Sequence, residues 1–284
     1  MVAVAYHTDP ACPWSWALEP SLRKLMVEFG AELRWTFVMG GIARSLVPDT
    51  SPAGMLEPAV LARLIGEWLE VSAETGAPVD PLIWVDSPIR TTYPSCMATK
   101  AAAEQAPDGG YRYLRRLREG LMCDRRRLDH FAPLVEEARA AGLDVGHFQS
   151  ALRSHAITEA FAGDLERTEA LAARIDGVER ASTGAGGCPL PTLVFGDFPP
   201  VAGFQPHGVL REAAVAAGAA PVHDARLGVE EVVARFDRVT TAEVELLCEL
   251  PGPRASAELF RLAEHWKVRP VRRLTGYLWE AVGG

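Results

Sequence analysis

The chain has 284 residues, of which 48% are hydrophobic and 23% are charged, and its formal net charge is −8. This length and composition predict a globular protein with a full hydrophobic core, and the negative charge disfavours nucleic acid as the main partner. The five cysteines are an odd number at wide spacings, which excludes a disulfide scaffold, and the seven scattered histidines predict no metal site.

In chain order, the first elements form a β-α-β pattern. Residues 2–6 are short, apolar and valine-rich, which predicts a buried strand. Residues 13–29 carry apolar side chains at helical spacing and begin with a proline, which suits a first helical turn. Gly30 ends this helix, and the alternating residues 32–38 predict a second strand.

A long helical block follows. Residues 39–58 contain several glycines and prolines and are predicted to be a loop. From residue 59 to about residue 175 the spacing of apolar residues is helical almost throughout, in the segments 59–75, 93–105, 109–122, 129–141, 144–153 and 156–175. This block is about as large as a small domain.

After the block, the pattern of a sheet returns. Residues 182–191 are predicted to be a loop that leads into a strand starting at Thr192. A turn at 196–197 leads to a second strand near Val201, and a helix is expected at 206–217. The order β-α-β, helical block, β-β-α predicts one α/β unit interrupted by an insertion.

The end of the chain has the pattern of a separate small module. Helices are expected at 229–236, 241–248 and 255–266, and strands at 268–271 and 277–282. Three short helices followed by a hairpin are typical of a winged helix. The third helix balances its basic side chains with acidic ones, so we expect this module to pack against the core or a partner rather than bind DNA.

The strongest chemical signal is the segment Cys12-Pro13-Trp14-Ser15, between the first strand and the first helix. A cysteine at a helix start faces unpaired N–H groups and the positive end of the helix dipole, which lower a thiol pKa from ~8.5 to roughly 3.5–7.5. The thiolate is the nucleophile of thiol–disulfide exchange. We therefore expect Cys12 to be reactive and Trp14 to be exposed beside it; a buried structural cysteine is the alternative.

Four segments together resemble a known family. They are Asp9-Pro-Ala-Cys-Pro-Trp-Ser-Trp, Val38-Met-Gly-Gly, Thr92-Tyr-Pro-Ser-Cys-Met-Ala-Thr-Lys-Ala-Ala and Leu190-Pro-Thr-Leu-Val-Phe. This set resembles the cytoplasmic DsbA-like proteins, which include the FrnE-like oxidoreductases, and more distantly the kappa-class glutathione transferases and 2-hydroxychromene-2-carboxylate isomerases. The resemblance implies an α/β protein, a thioredoxin fold with a large all-helical insertion, to which the element pattern of the tail adds a small C-terminal winged-helix-like module. The core is then expected at 1–58 and 182–220, the insertion at 59–181 and the C-terminal module at 226–284.

The resemblance also implies a proline in the cis form that faces the active-site cysteine. Pro191 is the best match, and Pro189 is the other candidate. Substrate contacts are then expected from Pro13, Trp14, Thr92, Leu190 and Thr192. Thr92 has an alternative interpretation as the N-cap of a helix.

The sequence departs from the family at Ser15, where the usual residue is a second cysteine that resolves the mixed disulfide. One outcome is a monothiol mechanism, in which a low-molecular-weight thiol such as glutathione or mycothiol completes the cycle. Another is resolution by Cys188, three residues before Pro191, or by Cys96, near the start of a predicted helix; a small buried residue is the alternative for both. A third is loss of redox activity with reuse of the pocket.

These observations predict a thiol–disulfide oxidoreductase in which Cys12 forms a mixed disulfide with a small-molecule thiol or disulfide, or with a protein partner. Ser15 is expected to donate a hydrogen bond to the thiolate, and Pro191 to shape the facing wall. The first alternative is a thiol-dependent transferase or isomerase of an electrophilic small molecule, for which a roomy, aromatic-lined pocket without a second thiol is the expected sign. The second is a non-enzymatic adaptor that holds a protein partner.

The expected location is the cytoplasm. No apolar run approaches the length of a membrane span, so no membrane partner is expected. The first residues lack the basic segment of a signal peptide, and the pattern of cysteines fits a reducing compartment.

Overall fold

The structure is a computed structural model, which describes residues 1–46, 56–222 and 226–282. Part of the predicted loop at 39–58 and the last two residues of the predicted C-terminal module lie outside these residues.

The central sheet has four strands and is built around the first one. Strand β1 (Val2–Thr8) pairs in parallel with β2 (Leu33–Met39) and antiparallel with β5 (Thr192–Phe195), and β6 (Val201–Ala202) follows at the edge. The predicted β-α-β unit is confirmed, and β1 extends two residues further than expected. Because β1 is central, the segment that leaves its carboxyl end lies at the middle of one sheet edge.

The predicted helix at 13–29 is divided into two. Helix α1 (Pro13–Ala17) is separated from α2 (Glu19–Phe29) by Leu18. The single-helix prediction was wrong because Pro20 has no N–H to donate to the carbonyl four residues earlier.

The helical block after β2 packs directly on the segment around α1. Its helices are α3 (Pro58–Thr75), α4 (Ile83–Asp86), α5 (Tyr93–Ala103), α6 (Tyr111–Met122), α7 (Phe131–Ala140), α8 (Val145–Leu152) and α9 (His155–Ala172). Of these, the short α4 was not predicted. Trp68 and Trp84 of the block share one hydrophobic core with Trp14 and Leu190, so the insertion forms one wall of the site region.

The segment predicted as a loop at 182–191 contains a small hairpin instead. Strand β3 (Ser182–Thr183) pairs with β4 (Pro189–Leu190) across a turn at Gly186 and Gly187. Both glycines have positive φ values, 62° and 83°, which favour glycine and make this turn feasible. Helix α10 (His207–Ala216) follows the sheet, close to the predicted range.

The C-terminal module has the element order of a winged helix. It comprises α11 (Val229–Phe236), β7 (Arg238–Thr240), α12 (Thr241–Leu247), α13 (Gly252–Glu264), β8 (Val268–Arg272) and β9 (Tyr277–Ala281). The strands form an antiparallel sheet in the order β7-β9-β8, and β7 was not predicted. A core around Val239, Leu259 and Trp279 holds the module together.

A buried carboxylate joins this module to the rest of the protein. Glu243 of α12 lies 3.0 Å from Arg23 of α2 and 2.9 Å from Arg115 of α6.

The predicted domain boundaries, 1–58 with 182–220 for the core, 59–181 for the insertion and 226–284 for the C-terminal module, stay predictions. In the described residues, no helix has the length and apolar character needed to cross a membrane.

Candidate active site

Cys12 lies at the start of α1, where its sulfur takes the place of a capping oxygen. The turn that precedes it is closed by the Cys12 N–H, which donates to the Asp9 carbonyl at 3.1 Å. With φ −79° and ψ 113°, Cys12 is the extended N-cap residue, and its Sγ accepts a hydrogen bond of 3.2 Å from the Ser15 N–H. The side chain is fully buried.

Two groups of the β3–β4 hairpin face the Cys12 thiol. Its Sγ donates to the Leu190 carbonyl and to the Ser182 hydroxyl oxygen, each at 3.4 Å. A thiol has one proton, so it can serve only one of these acceptors at a time. The Leu190–Pro191 peptide bond is cis, as the family resemblance implies for Pro191.

The expectation of a low thiol pKa at Cys12 was wrong. Burial raises the pKa of Cys12 above its ordinary value, its hydrogen bonds with Ser15 and Ser182 oppose this rise, and the nearby Glu67 carboxylate adds to it. Complete burial removes the thiolate from water, and the five-residue helix α1 offers only its first N–H groups in return.

A carboxylate stands behind Ser182. The Ser182 hydroxyl, which accepts from Cys12, donates to Glu67 Oε1 of α3 at 3.1 Å. Burial raises the pKa of Glu67, while the bond from Ser182 lowers it. Sequence reasoning missed both residues, because 115 positions separate them and neither belongs to a motif.

The Ser15 side chain is fixed by hydrogen bonds from residues outside the motif. Its hydroxyl oxygen accepts a hydrogen bond of 2.9 Å from Thr8, and Thr8 in turn accepts from Arg118. Arg118 is fully buried and pairs with Glu19. The bond that Ser15 was expected to donate to the sulfur is made by its backbone N–H.

A cavity of about 940 Å³ opens beside the motif. Its aromatic wall is formed by Trp14, Trp68 and Trp84, and none of its described lining residues is a cysteine. Trp14 was expected to be exposed but is only 8% exposed, because it packs against Phe204 with ring centroids 5.9 Å apart. Charged side chains also line the cavity, namely Arg44, Arg63, Glu67, Glu70 and Arg180. The cavity therefore suits a small molecule with apolar and acidic parts.

Asp9 is a buried hub that fixes the turn before Cys12. Its Oδ2 accepts from the Thr92 hydroxyl at 2.9 Å, from the Ile42 N–H at 2.9 Å and from the Cys96 thiol at 3.3 Å. Thr92 is the N-cap residue of α5, but its side chain bonds Asp9 instead of capping. Burial and the Asp9 carboxylate raise the pKa of Cys96 well above its usual range.

The remaining predicted residues are not among the described residues that line the cavity. Leu190 and Thr192 are fully buried, and the Thr192 hydroxyl donates to the Pro189 carbonyl at 2.6 Å. Cys188 is buried beside the hairpin turn, and burial raises its pKa to about 11. Each of the five cysteines, all within the described residues, is free.

Of the predicted substrate contacts, only Pro13, Trp14 and Thr92 line the cavity. The resolving roles of Cys188 and Cys96 stay predictions. The Cys96 thiol is engaged with Asp9, and the Cys188 thiol with the neighbouring Pro189 carbonyl at 3.7 Å.

Comparison with known proteins places the chain among thioredoxin-like proteins. A family model described as thioredoxin matches residues 6–175, more than half of the chain. The chain is 28% identical over 279 residues to the ClpXP adapter protein SpxH of Halalkalibacterium halodurans, and this match covers 95% of the chain and 86% of that protein.

Two solved structures are similar in fold. The cytosolic disulfide reductase DsbM of Pseudomonas aeruginosa has a TM-score of 0.55 at 18% identity, covering 74% of this chain and 97% of that one. A 2-hydroxychromene-2-carboxylate isomerase has a TM-score of 0.51 at 17% identity, covering 75% and 95%. With the family model, they confirm the predicted thioredoxin fold with a helical insertion.

Proposed function

The chain belongs to the thioredoxin family, and from this membership we propose that it is a thiol–disulfide oxidoreductase that acts through Cys12 alone. The observation that carries the proposal is the setting of the sulfur. It caps α1, it faces Ser182 and the Leu190 carbonyl of the opposite hairpin, and its chain neighbours Ala11 and Pro13 line a cavity large enough for a small disulfide.

The serine at position 15 decides the form of the cycle. Cys12 attacks a disulfide and forms a mixed disulfide, which Ser15 cannot resolve because its hydroxyl is not a thiol. A low-molecular-weight thiol of the glutathione or mycothiol class then releases the product and regenerates Cys12. We propose the cytoplasm as its location, since the cycle needs a reducing thiol pool.

Turnover with a small thiol tests this proposal. Reduction of a small-molecule disulfide by excess low-molecular-weight thiol is measured for the wild type, for Cys12→Ala and for the control Cys248→Ala. Cys248 lies in the core of the C-terminal module, away from the cavity. Turnover that Cys12→Ala abolishes and Cys248→Ala retains supports the oxidoreductase, whereas equal turnover in all three contradicts it.

One observation favours a second candidate, a protein adaptor. The match to the ClpXP adapter protein SpxH covers 95% of the chain, and so includes most of the C-terminal module at 226–282. If the protein is an adaptor, the wild type and Cys12→Ala should bind purified ClpXP equally well, and neither should reduce small disulfides. Loss of ClpXP binding in Cys12→Ala, or no binding by the wild type, contradicts this candidate.

The cavity favours a third candidate, a thiol-dependent transferase or isomerase. The three tryptophans and the lack of a cysteine among the described lining residues match the sign expected for it. Such an enzyme would convert an electrophilic small molecule in the presence of a thiol and would leave small disulfides intact. The turnover assay with disulfide therefore separates it from the oxidoreductase.

A further inference from the structure

The buried Cys12 thiol needs a group that accepts its proton. Burial raises the pKa of this thiol, so few molecules carry a thiolate at neutral pH unless the proton has a nearby base. Of the two acceptors at 3.4 Å, the Leu190 carbonyl leads no further. The Ser182 hydroxyl leads to a carboxylate, because it donates to Glu67 at 3.1 Å.

We propose that Ser182 and Glu67 form a proton relay that takes up the thiol proton when Cys12 reacts, a role that rests on the proposed oxidoreductase function. Ser182 touches the reacting sulfur and is the first catalytic member. Glu67 takes up the proton through Ser182 and passes it to the departing sulfur, so it is the second catalytic member.

The relay balances in protons and electrons. The Cys12 proton passes to Ser182 Oγ while the Ser182 hydroxyl proton passes to Glu67 Oε1, which leaves a thiolate and a carboxylic acid. The thiolate attacks one sulfur of a small disulfide R–S–S–R, so the Cys12–S–S–R bond forms as the R–S–S–R bond breaks. The departing R–S⁻ keeps the electron pair and receives the proton from Glu67. Cys12 is oxidised to a mixed disulfide, and the departing sulfur is reduced to a thiol.

The position of Glu67 suits both halves of this transfer. One of its oxygens bonds Ser182, and its side chain is 25% exposed at the cavity, where the leaving thiol would depart. Burial raises the pKa of Glu67 above its ordinary value, which favours uptake of a proton by this carboxylate. Ser182 and Glu67 come from β3 and α3, so the relay exists only where the hairpin meets the insertion.

Charged and polar groups surround both ends of the relay, Glu67 and Cys12. Those that act on Glu67 are Ser182 on β3 and Arg63 and Glu70 on α3, and Arg44 and Arg180 also line the cavity. Those that act on Cys12 are Ser15 on α1, Ser182 on β3, Glu67 on α3 and Arg118 on α6.

A relay and a mere neighbouring charge predict opposite effects of Glu67→Gln. As a negative charge alone, Glu67 disfavours the Cys12 thiolate, so its removal would speed the reaction of Cys12 at neutral pH. As the end of a relay, Glu67 takes up the thiol proton, so its removal slows that reaction. The sign of the change therefore decides between the two roles.

The test measures the rate of Cys12 alkylation by iodoacetamide across pH, with peptide mapping to identify the modified cysteine. The relay predicts that Glu67→Gln and Ser182→Ala each slow the reaction by about a hundredfold at neutral pH, a typical contribution of general base catalysis. Both variants are also expected to lose the part of the pH profile that follows Glu67 ionisation. Ser182→Thr, which keeps the hydroxyl, should restore the rate. Glu258→Gln removes a charge from a surface ion pair of the C-terminal module, outside the cavity lining, and should match the wild type.

The outcomes separate the two proposals. If wild-type Cys12 reacts and the Glu67→Gln variant reacts equally fast or faster, the relay is wrong and the oxidoreductase proposal stands. A wild-type Cys12 that stays unmodified at every pH overturns both.

Discussion

Replacing Glu243 by glutamine should weaken the attachment of the C-terminal module. Glu243 is fully buried, and its carboxylate bonds Arg115 through both oxygens, at 2.9 and 3.2 Å, and pairs with Arg23 at 3.0 Å. Removing one partner of a buried ion pair costs about 3–5 kcal/mol. Arg115 keeps a second carboxylate, Glu119, at 2.7 Å, so we expect the lower end, a loss of about 3 kcal/mol.

The loss should be measured as the free energy of unfolding in urea, with tryptophan fluorescence as the signal, and as the melting temperature. For a chain of this size, a loss of about 3 kcal/mol corresponds to a fall in Tm of about 6–12 °C. The matched control is Glu258→Gln, which breaks an exposed pair with Arg261 and should leave the free energy of unfolding close to that of the wild type. If the two variants lose the same small amount, Glu243 does not hold the module to the core.

Three further predictions concern His7 of β1, Ser15 of the motif and Thr92 at the start of α5. Burial holds the pKa of His7 at about 4, below its ordinary value, so the unfolded chain binds more protons than the folded protein below about pH 6.5. The free energy of unfolding should therefore fall by about 3 kcal/mol as the pH falls from about 6.5 to about 4. Urea titrations of His7→Gln should lack this dependence on pH. Ser15→Cys should supply the missing resolving thiol. Mild oxidation of this variant should form a disulfide between Cys12 and the introduced thiol, and intact mass should show the loss of two hydrogen atoms. A persistent small-thiol adduct would contradict this prediction. Thr92→Val removes a buried hydrogen bond to Asp9 and should cost about 1–2 kcal/mol in urea unfolding while Cys12 alkylation keeps its rate; a slower reaction would show that Thr92 has a direct role.

The placement of Cys12 could be predicted because its signals are local. A short apolar strand, a turn and a proline directly after the cysteine place the sulfur at a helix start. The proline before the strand at Thr192 was found by resemblance, and its peptide bond is cis in the structure.

The base behind Cys12 could not be predicted, because it depends on how distant parts of the chain pack. Ser182 lies in a segment whose glycine-rich sequence predicts only a loop, and Glu67 lies on a helix whose orientation no local pattern fixes. The thiol pKa was mispredicted for the same reason. A position at a helix start can be inferred from sequence, whereas complete burial of the side chain follows from tertiary packing.

The division of the first helix and the extra strand β7 show the limits of periodicity. Apolar spacing continues through Leu18, so the effect of Pro20 on the helix was not visible in the pattern. Strand β7 has three residues between two helices, which is too short for alternation to distinguish it from a turn.

The most direct test of the central claim is the intact mass of the reduced protein after brief exposure to a small-thiol disulfide, from about pH 4 to about pH 9, with Cys12→Ala beside it. The monothiol account predicts a single mixed-disulfide adduct that maps to Cys12 and is absent from the variant. A loss of two hydrogen atoms without an adduct would show that another cysteine resolves Cys12, and no modification at any pH would contradict thiol–disulfide chemistry at this site.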